Sequence, residues 1–105
     1  MIDLKGKPFN LDDESIQWVE KTLTNMTEDE KIGQLFCLIG YDRNEEYLKN
    51  LACGFKPGGL MCRPMPVEEV ISTVRILQEN SKIPLLISAN LEKGGNGNVI
   101  KRIQV

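Results

Sequence analysis

The sequence predicts an α/β fold, three parallel strands with crossover helices, preceded by N-terminal helices. Three observations lead there. Short apolar runs near residues 35–39, 60–62 and 83–88 are separated by patterns of helical period. Strand and helix alternating at this spacing suit parallel strands joined by right-handed crossovers. The chain has 105 residues, 41% hydrophobic and 27% charged, which is the length of one domain and the composition of a globular one.

Residues 1–11 form a lead-in with a turn around Gly6-Lys7-Pro8. The first helix starts after Asn10-Leu11, with Asp12 or Asp13 as N-cap. Ile16, Val19, Leu23 and Met26 make one apolar stripe, and Trp18 lies off its centre. Thr27-Glu28-Asp29-Glu30 is a capping box that opens a second short helix, stopping near Gly33 or Gln34. The first strand is Leu35-Phe36-Cys37-Leu38-Ile39, ended by Gly40. Because it is apolar on both faces, it belongs in a parallel sheet covered on both sides or in a barrel wall.

Asn44 can cap a helix over residues 45–53, with Tyr47, Leu48, Leu51 and Ala52 inward. Pro57-Gly58-Gly59 then breaks the chain before a second strand, Leu60-Met61-Cys62. Pro66 sits near the first turn of the clearest helix, whose apolar positions are Val67, Val70, Ile71, Val74 and Leu77. That helix ends near Asn80-Ser81. The third strand covers residues 83–88, with Pro84 at its start, where a missing N–H is tolerated. A Gly-rich loop follows.

Composition excludes several functions. Lys and Arg total 13 against 15 Asp and Glu, a formal net charge of -2, so nucleic acid and an anionic membrane surface are not the expected partners. No apolar run approaches the roughly 20 residues of a membrane span, and residues 1–11 lack a signal-peptide core. A cytoplasmic protein is expected. The chain has no histidine, which excludes a Ser-His-Asp triad, a Cys-His dyad and a His-ligated zinc site within it. Cys37, Cys53 and Cys62 are odd in number and lack C-x-x-C spacing, and buried thiols in a reducing compartment are expected.

The acidic clusters Asp12-Asp13-Glu14, Glu28-Asp29-Glu30, Glu45-Glu46 and Glu68-Glu69 could in principle be acid/base pairs or metal ligands. Each falls in the first turn of a predicted helix, where negative charge offsets the helix dipole. They are helix starts. Gly94-Gly95-Asn96-Gly97-Asn98 lacks both the GK[ST] of a P-loop and the spacing of a dinucleotide loop.

Ligands of parallel α/β folds bind at the carboxyl ends of the strands. The residues there are Gly40, Tyr41, Asp42 and Arg43, then Arg63 and Pro64, then Asn90, Glu92, Lys93 and Gly94. Arg63 and Asn90 suit hydrogen bonds to hydroxyl or carboxylate groups, with Tyr41 as a stacking surface. The alternative is that all are ordinary solvated loop residues.

Three segments, in order and at matching spacing over about residues 11–97, resemble the start of a glycoside hydrolase family 3 catalytic domain. They are Trp18 to Phe36 with its Met26-Thr27-Glu28-Asp29-Glu30-Lys31-Ile32-Gly33-Gln34-Leu35 core, Lys56-Pro57-Gly58-Gly59-Leu60-Met61, and Ile83 to Asn90 followed by Glu92 and Gly94-Gly95. The similarity is greatest to the β-N-acetylhexosaminidase branch. It implies a partial (β/α) TIM-type barrel, since a whole one takes about 250 residues. It also implies a retaining glycosidase with an aspartate nucleophile on a later strand and an acid/base histidine in a later loop. No residue here takes either catalytic role, and no metal or cofactor is implied.

The resemblance carries over the acidic Gly-Gly loop, which in the family contacts the non-reducing sugar. Asn90 stands where Asp is common, Glu92 follows, and Lys93 is interposed before Gly94-Gly95. Arg63 lies at the end of the second strand, where the family also lines its site. With Asp42, these are the candidate substrate-binding residues, for an N-acetylhexosamine glycoside. The expected layout is N-terminal helices over 1–34, three βα steps over 35–97 and an atypical tail over 98–105. That tail suggests a truncated or frame-disrupted hydrolase, inactive alone. The alternatives are a non-catalytic sugar-binding module, or an assembly module that forms homo-oligomers through exposed sheet edges.

Overall fold

Asp12 starts the first helix. Its carboxylate accepts from the Ser15 N–H at 2.8 Å, and α1 runs over Asp13–Asn25. That backbone donor, together with the Ser15 side chain, holds the Asp12 carboxyl below its ordinary pKa. The computed structural model describes residues 2–92, 94, 99 and 100, and the chain divides into two compact units between Lys31 and Ile32.

In the first unit the lead-in turns where Gly6 predicts. The Phe9 and Asn10 N–H groups both donate to the Gly6 carbonyl, and Asp3 accepts from the Lys5 and Gly6 N–H groups. Lys5 pairs with Asp13 at 2.8 Å. No residue of α1 is buried, so its apolar stripe remains half-exposed. Trp18, 55% exposed, lines an open cavity of about 390 Å³ with Leu11, Glu14, Ser15 and Val19. The predicted capping box forms in both directions: the Thr27 N–H donates to Glu30 Oε2 at 3.0 Å, and the Glu30 N–H to Thr27 Oγ1 at 3.2 Å. It opens α2, Glu28–Gly33.

The second unit holds β1 (Cys37–Gly40), α3 (Glu45–Asn50) continued by a π-helical turn (Leu51–Phe55), β2 (Gly59–Cys62), β3 (Met65–Pro66), α4 (Val67–Glu79), β4 (Leu86–Ala89) and β5 (Val99–Ile100). Three strands form one parallel sheet in the order β1-β2-β4, and β3 pairs with β5 in a separate parallel ladder. This is the predicted α/β architecture. The expected tail over 98–105 lies outside the described residues except at Val99 and Ile100.

Strands taken up in sequence order with crossovers of one hand place their helices on one side of the sheet. Accordingly α3 packs on α4. Leu48 and Ala52 from the first crossover, Leu77 from the second, and Leu60, Cys62 and Leu85 make the core. Side chains alternate along a strand, so Leu60 and Cys62 face the helices while Gly59 and Met61 face away. In the observed register Cys37, Ile39, Leu86 and Ser88 share that second face, and all four are exposed. Among the described residues the first strand thus lies at the edge of an open three-stranded sheet with one exposed face, and neither the doubly covered sheet nor the closed barrel expected for it is complete.

The first and third predicted strands begin later than their apolar runs, while the second begins one residue early, at Gly59. Leu35 and Phe36 return their N–H groups to the Ile32 and Gly33 carbonyls, extending the last turn of α2, and β1 starts at Cys37. Likewise Ile83-Pro84-Leu85 precedes β4. There the Gln78 side-chain amide accepts from the Leu85 N–H and donates to the Leu85 carbonyl, both at 2.9 Å, in the manner of a neighbouring strand. The helix expected over 45–53 changes pitch after Asn50, and Lys56, with φ 54°, closes it. Along α4 the buried residues are Thr73, beside Met65 of β3, and Leu77 in the core, while Ile71 is half-exposed. Cys62 is buried as expected, but Cys37 and Cys53 are exposed. Cys37 stands on the bare face, and Cys53 at the π-helical turn donates to the Asn80 carbonyl at 3.4 Å.

Gly58 fixes how the sheet's amino edge is built. Its N–H reaches the Gly33 and Phe36 carbonyls at 3.1 Å, and a Cβ there would stand 2.0 Å from the Gln34 carbonyl oxygen. Phe36 and Phe55 close the same end edge-to-face, with centroids 5.7 Å apart. Among the described residues no helix is long and apolar enough to cross a membrane.

Candidate functional site

The carboxyl ends of β1, β2 and β4 lie level. Gly40 pairs with Cys62, and Cys62 with Ala89, so residues 41, 63 and 90 leave the sheet side by side. Parallel pairing alone therefore sets Arg63 and Asn90 of the predicted site residues at one edge, with Asp42 and Glu92 one and two residues further along their loops.

The loop after β1 is organised by its own short polar side chains. Asp42 Oδ1 accepts from the Asn44 N–H at 2.9 Å, and Asn44 Oδ1 accepts from the Tyr47 N–H at 3.1 Å, capping α3. The Tyr41 N–H turns back to the Ile39 carbonyl at 3.0 Å. Asp42 is thus exposed at the edge, with one carboxylate oxygen engaged by its own loop.

Arg63, the first residue beyond β2, lays its guanidinium over the Tyr41 ring, 5.3 Å from the centroid. Tyr41 remains 72% exposed. Arg43 forms an ion pair with Glu69 in the first turn of α4. Arg43, Glu68, Glu69, Ser72 and Thr73 line an open cavity of about 400 Å³. Asn90 and Glu92 are exposed beyond β4. Among the described residues no hydrogen bond joins either of them to Arg63 or Asp42. Lys93 and Gly95 lie outside the described residues. Gly94 is described, with φ +70°.

Sequence reasoning named Tyr41 and Arg63 separately. Their contact was signalled only by each following an apolar strand by a single residue. The Arg43–Glu69 pair spans 26 residues and had no local signal. Burial pushes the Cys62 thiol up from its ordinary pKa, which makes it inert packing beneath this edge. Chemically the edge offers guanidinium donors, carboxylate acceptors, an amide that does both, and an aromatic face. That set suits a hydroxyl-rich ligand.

No family model matches the chain. It is 52% identical over 99 residues to a beta-N-acetylglucosaminidase/beta-glucosidase of Cellulomonas fimi, covering 94% of this chain and 18% of that protein. Among solved structures it superposes on a beta-glucoside phosphorylase BglX with a TM-score of 0.74 and 43% identity, covering 90% of this chain and 16% of that one. The same enzyme bound to 2FGlc gives a TM-score of 0.75 at 41% identity, over 92% of this chain and 18% of that one. The chain thus spans less than a fifth of the length of these relatives. A backbone shared at such identity over nine-tenths of the residues makes this partial α/β segment similar to part of a glycoside hydrolase family 3 enzyme, the family that the sequence resembles.

Proposed function

We propose that this segment forms part of the sugar-binding mouth of a family 3 enzyme that cleaves a terminal β-linked glucose or N-acetylglucosamine, and that it is inactive alone. Asp42, Arg63, Asn90 and Glu92 are the proposed substrate-binding residues. Arg63 donates to sugar hydroxyl oxygens, Asp42 and Glu92 accept from hydroxyl hydrogens, and Asn90 does both. The observation that carries this reading is the common edge of the three strand ends, the usual ligand side of parallel α/β folds. Glycoside cleavage needs two catalytic groups around one bond. The family's nucleophile and acid/base have no counterpart among the residues matched here, so the chemistry belongs to a longer chain.

The test is an amide NMR titration of the chain with methyl β-glucoside and, separately, N-acetylglucosamine. Shifts at Asp42, Arg63 and Asn90 are expected, and an unchanged spectrum with both sugars overturns the assignment. The sugar that shifts these peaks at lower concentration is the preferred one. Nitrophenyl β-glycosides should not be hydrolysed by the chain.

A second reading of the reaction is phosphorolysis, with inorganic phosphate replacing water as glycosyl acceptor. It is favoured by the name of the solved relatives, beta-glucoside phosphorylase. A longer protein containing this segment would then release a glycosyl phosphate in phosphate buffer, and free sugar if the acceptor is water. Self-association through the outer edges of β1 and β4 completes the proposal, with cytoplasmic residence supported by three unpaired thiols.

A further inference from the structure

Two side-chain ties join the stretch after β1 to the stretch after β2, and both sit at the proposed sugar-binding edge. The first is Arg63 over Tyr41 at 5.3 Å. The second is the ion pair of Arg43 with Glu69. Tyr41 and Arg43 are two residues apart, and Asp42 between them is tied to the Asn44 N–H, so the loop is a short turn with its ends defined. Arg63 occupies one face of the Tyr41 ring, yet the residue stays 72% exposed, leaving aromatic surface open to solvent at the strand ends.

An aromatic face beside a guanidinium fork is chemistry that recognises a pyranose. The ring packs against the sugar's C–H face while the fork donates to its hydroxyls. We infer that Tyr41 and Arg63 act as one composite contact for a pyranose, and that the Arg43–Glu69 pair is the positioning element that keeps this contact at the strand ends. The inference rests on the sugar-binding reading of the edge and adds Tyr41, Arg43 and Glu69 to it. Arg43 and Glu69 are each about half exposed, so their pair contributes modestly. Removing it should weaken binding by about two- to fivefold and should not abolish it.

The test uses the whole chain and two readouts. Without ligand, the Arg63 Nε–H resonance should be displaced by the Tyr41 ring current. Tyr41→Leu should remove the displacement, Tyr41→Phe should keep it, and Arg43→Ala should reduce it. The exchanged pair, Arg43→Glu with Glu69→Arg, should restore it, which a general loss of stability would not do. With methyl β-glucoside, Tyr41→Leu should weaken binding by about two- to fivefold, and the exchanged pair should bind as the parent does. Unchanged core amides at Leu48 and Leu77 show that each variant is folded. An Arg63 resonance unmoved by Arg43→Ala overturns the positioning role. A parent chain that binds methyl β-glucoside with undiminished affinity in Tyr41→Leu overturns the composite contact. A parent chain that binds neither sugar overturns the sugar-binding edge itself, while the ring-current result still decides the positioning role.

Discussion

Gly58 and Gly54 lie four residues apart and should respond oppositely to alanine. A Cβ at Gly58 would overlap the Gln34 carbonyl, a backbone atom that cannot swing aside, whereas one at Gly54 meets nothing within 4 Å. Gly58→Ala should destabilise the chain by roughly 1–3 kcal/mol in a urea titration. Gly54→Ala should stabilise it by roughly 0.4–1 kcal/mol, through the entropy of the unfolded chain. Asp12 gives a pH signature at the same scale. Its folded pKa lies below the unfolded value, so its capping contribution is complete above about pH 4. That contribution is lost as pH falls through the folded value. Helix content over Asp13–Asn25 should drop in that window by circular dichroism, and Asp12→Asn should flatten the response. Both features were legible in the sequence as punctuation, a Pro-Gly-Gly break and an acidic cap. Only the structure shows that Gly58 is required by another chain segment and not by its own turn.

Element boundaries were harder to read than element identity. Apolar periodicity places the three strands of the main sheet and the three main helices, but not the short β3–β5 ladder, and it cannot say where hydrogen bonding changes hands. Leu35 and Phe36 are as apolar as the strand they precede but bond back to α2, and Leu85 is claimed by a side chain. Gln78 is therefore an element-level determinant that no hydrophobic pattern flags. Gln78→Leu keeps the size and removes both bonds to Leu85, and should cost roughly 1–3 kcal/mol of stability. Loss of amide-exchange protection concentrated at Leu85 and Leu86 would identify the approach to β4 as what has loosened. Protection falling evenly across the sheet would contradict that assignment. Thr73 was missed for a related reason: a polar residue in an apolar stripe looks like an interruption, although here it is buried and its hydroxyl faces the Met65 sulfur at 3.8 Å.

At the scale of the molecule, parallel pairing did most to make the candidate site readable. Once three consecutive strands are parallel, the residues that follow them share an edge, so Asp42, Arg63, Asn90 and Glu92 could be nominated without any side-chain geometry. The couplings across that edge, Tyr41 to Arg63 and Arg43 to Glu69, depend on how two loops lie against each other and were out of reach. Among the described residues of the second unit, the same topology leaves Cys37, Ile39, Leu86 and Ser88 exposed on one sheet face and the outer edges of β1 and β4 without a paired strand. Concentration-dependent sedimentation is accordingly expected, and a constant monomer mass across a hundredfold dilution would refute edge pairing. Gly59 leaves room beside the Cys37 thiol. Cys37 Sγ stands 3.3 Å from where a Gly59 Cβ would be and 3.8 Å from the Ser88 hydroxyl, on the exposed face. Cys53 is exposed at the π-helical turn, and Cys62 is shut in the core. The three thiols thus form an internal alkylation gauge: Cys62 marks unfolding, Cys53 sets the reference rate, and slowed labelling of Cys37 alone reports whatever comes to cover the sheet.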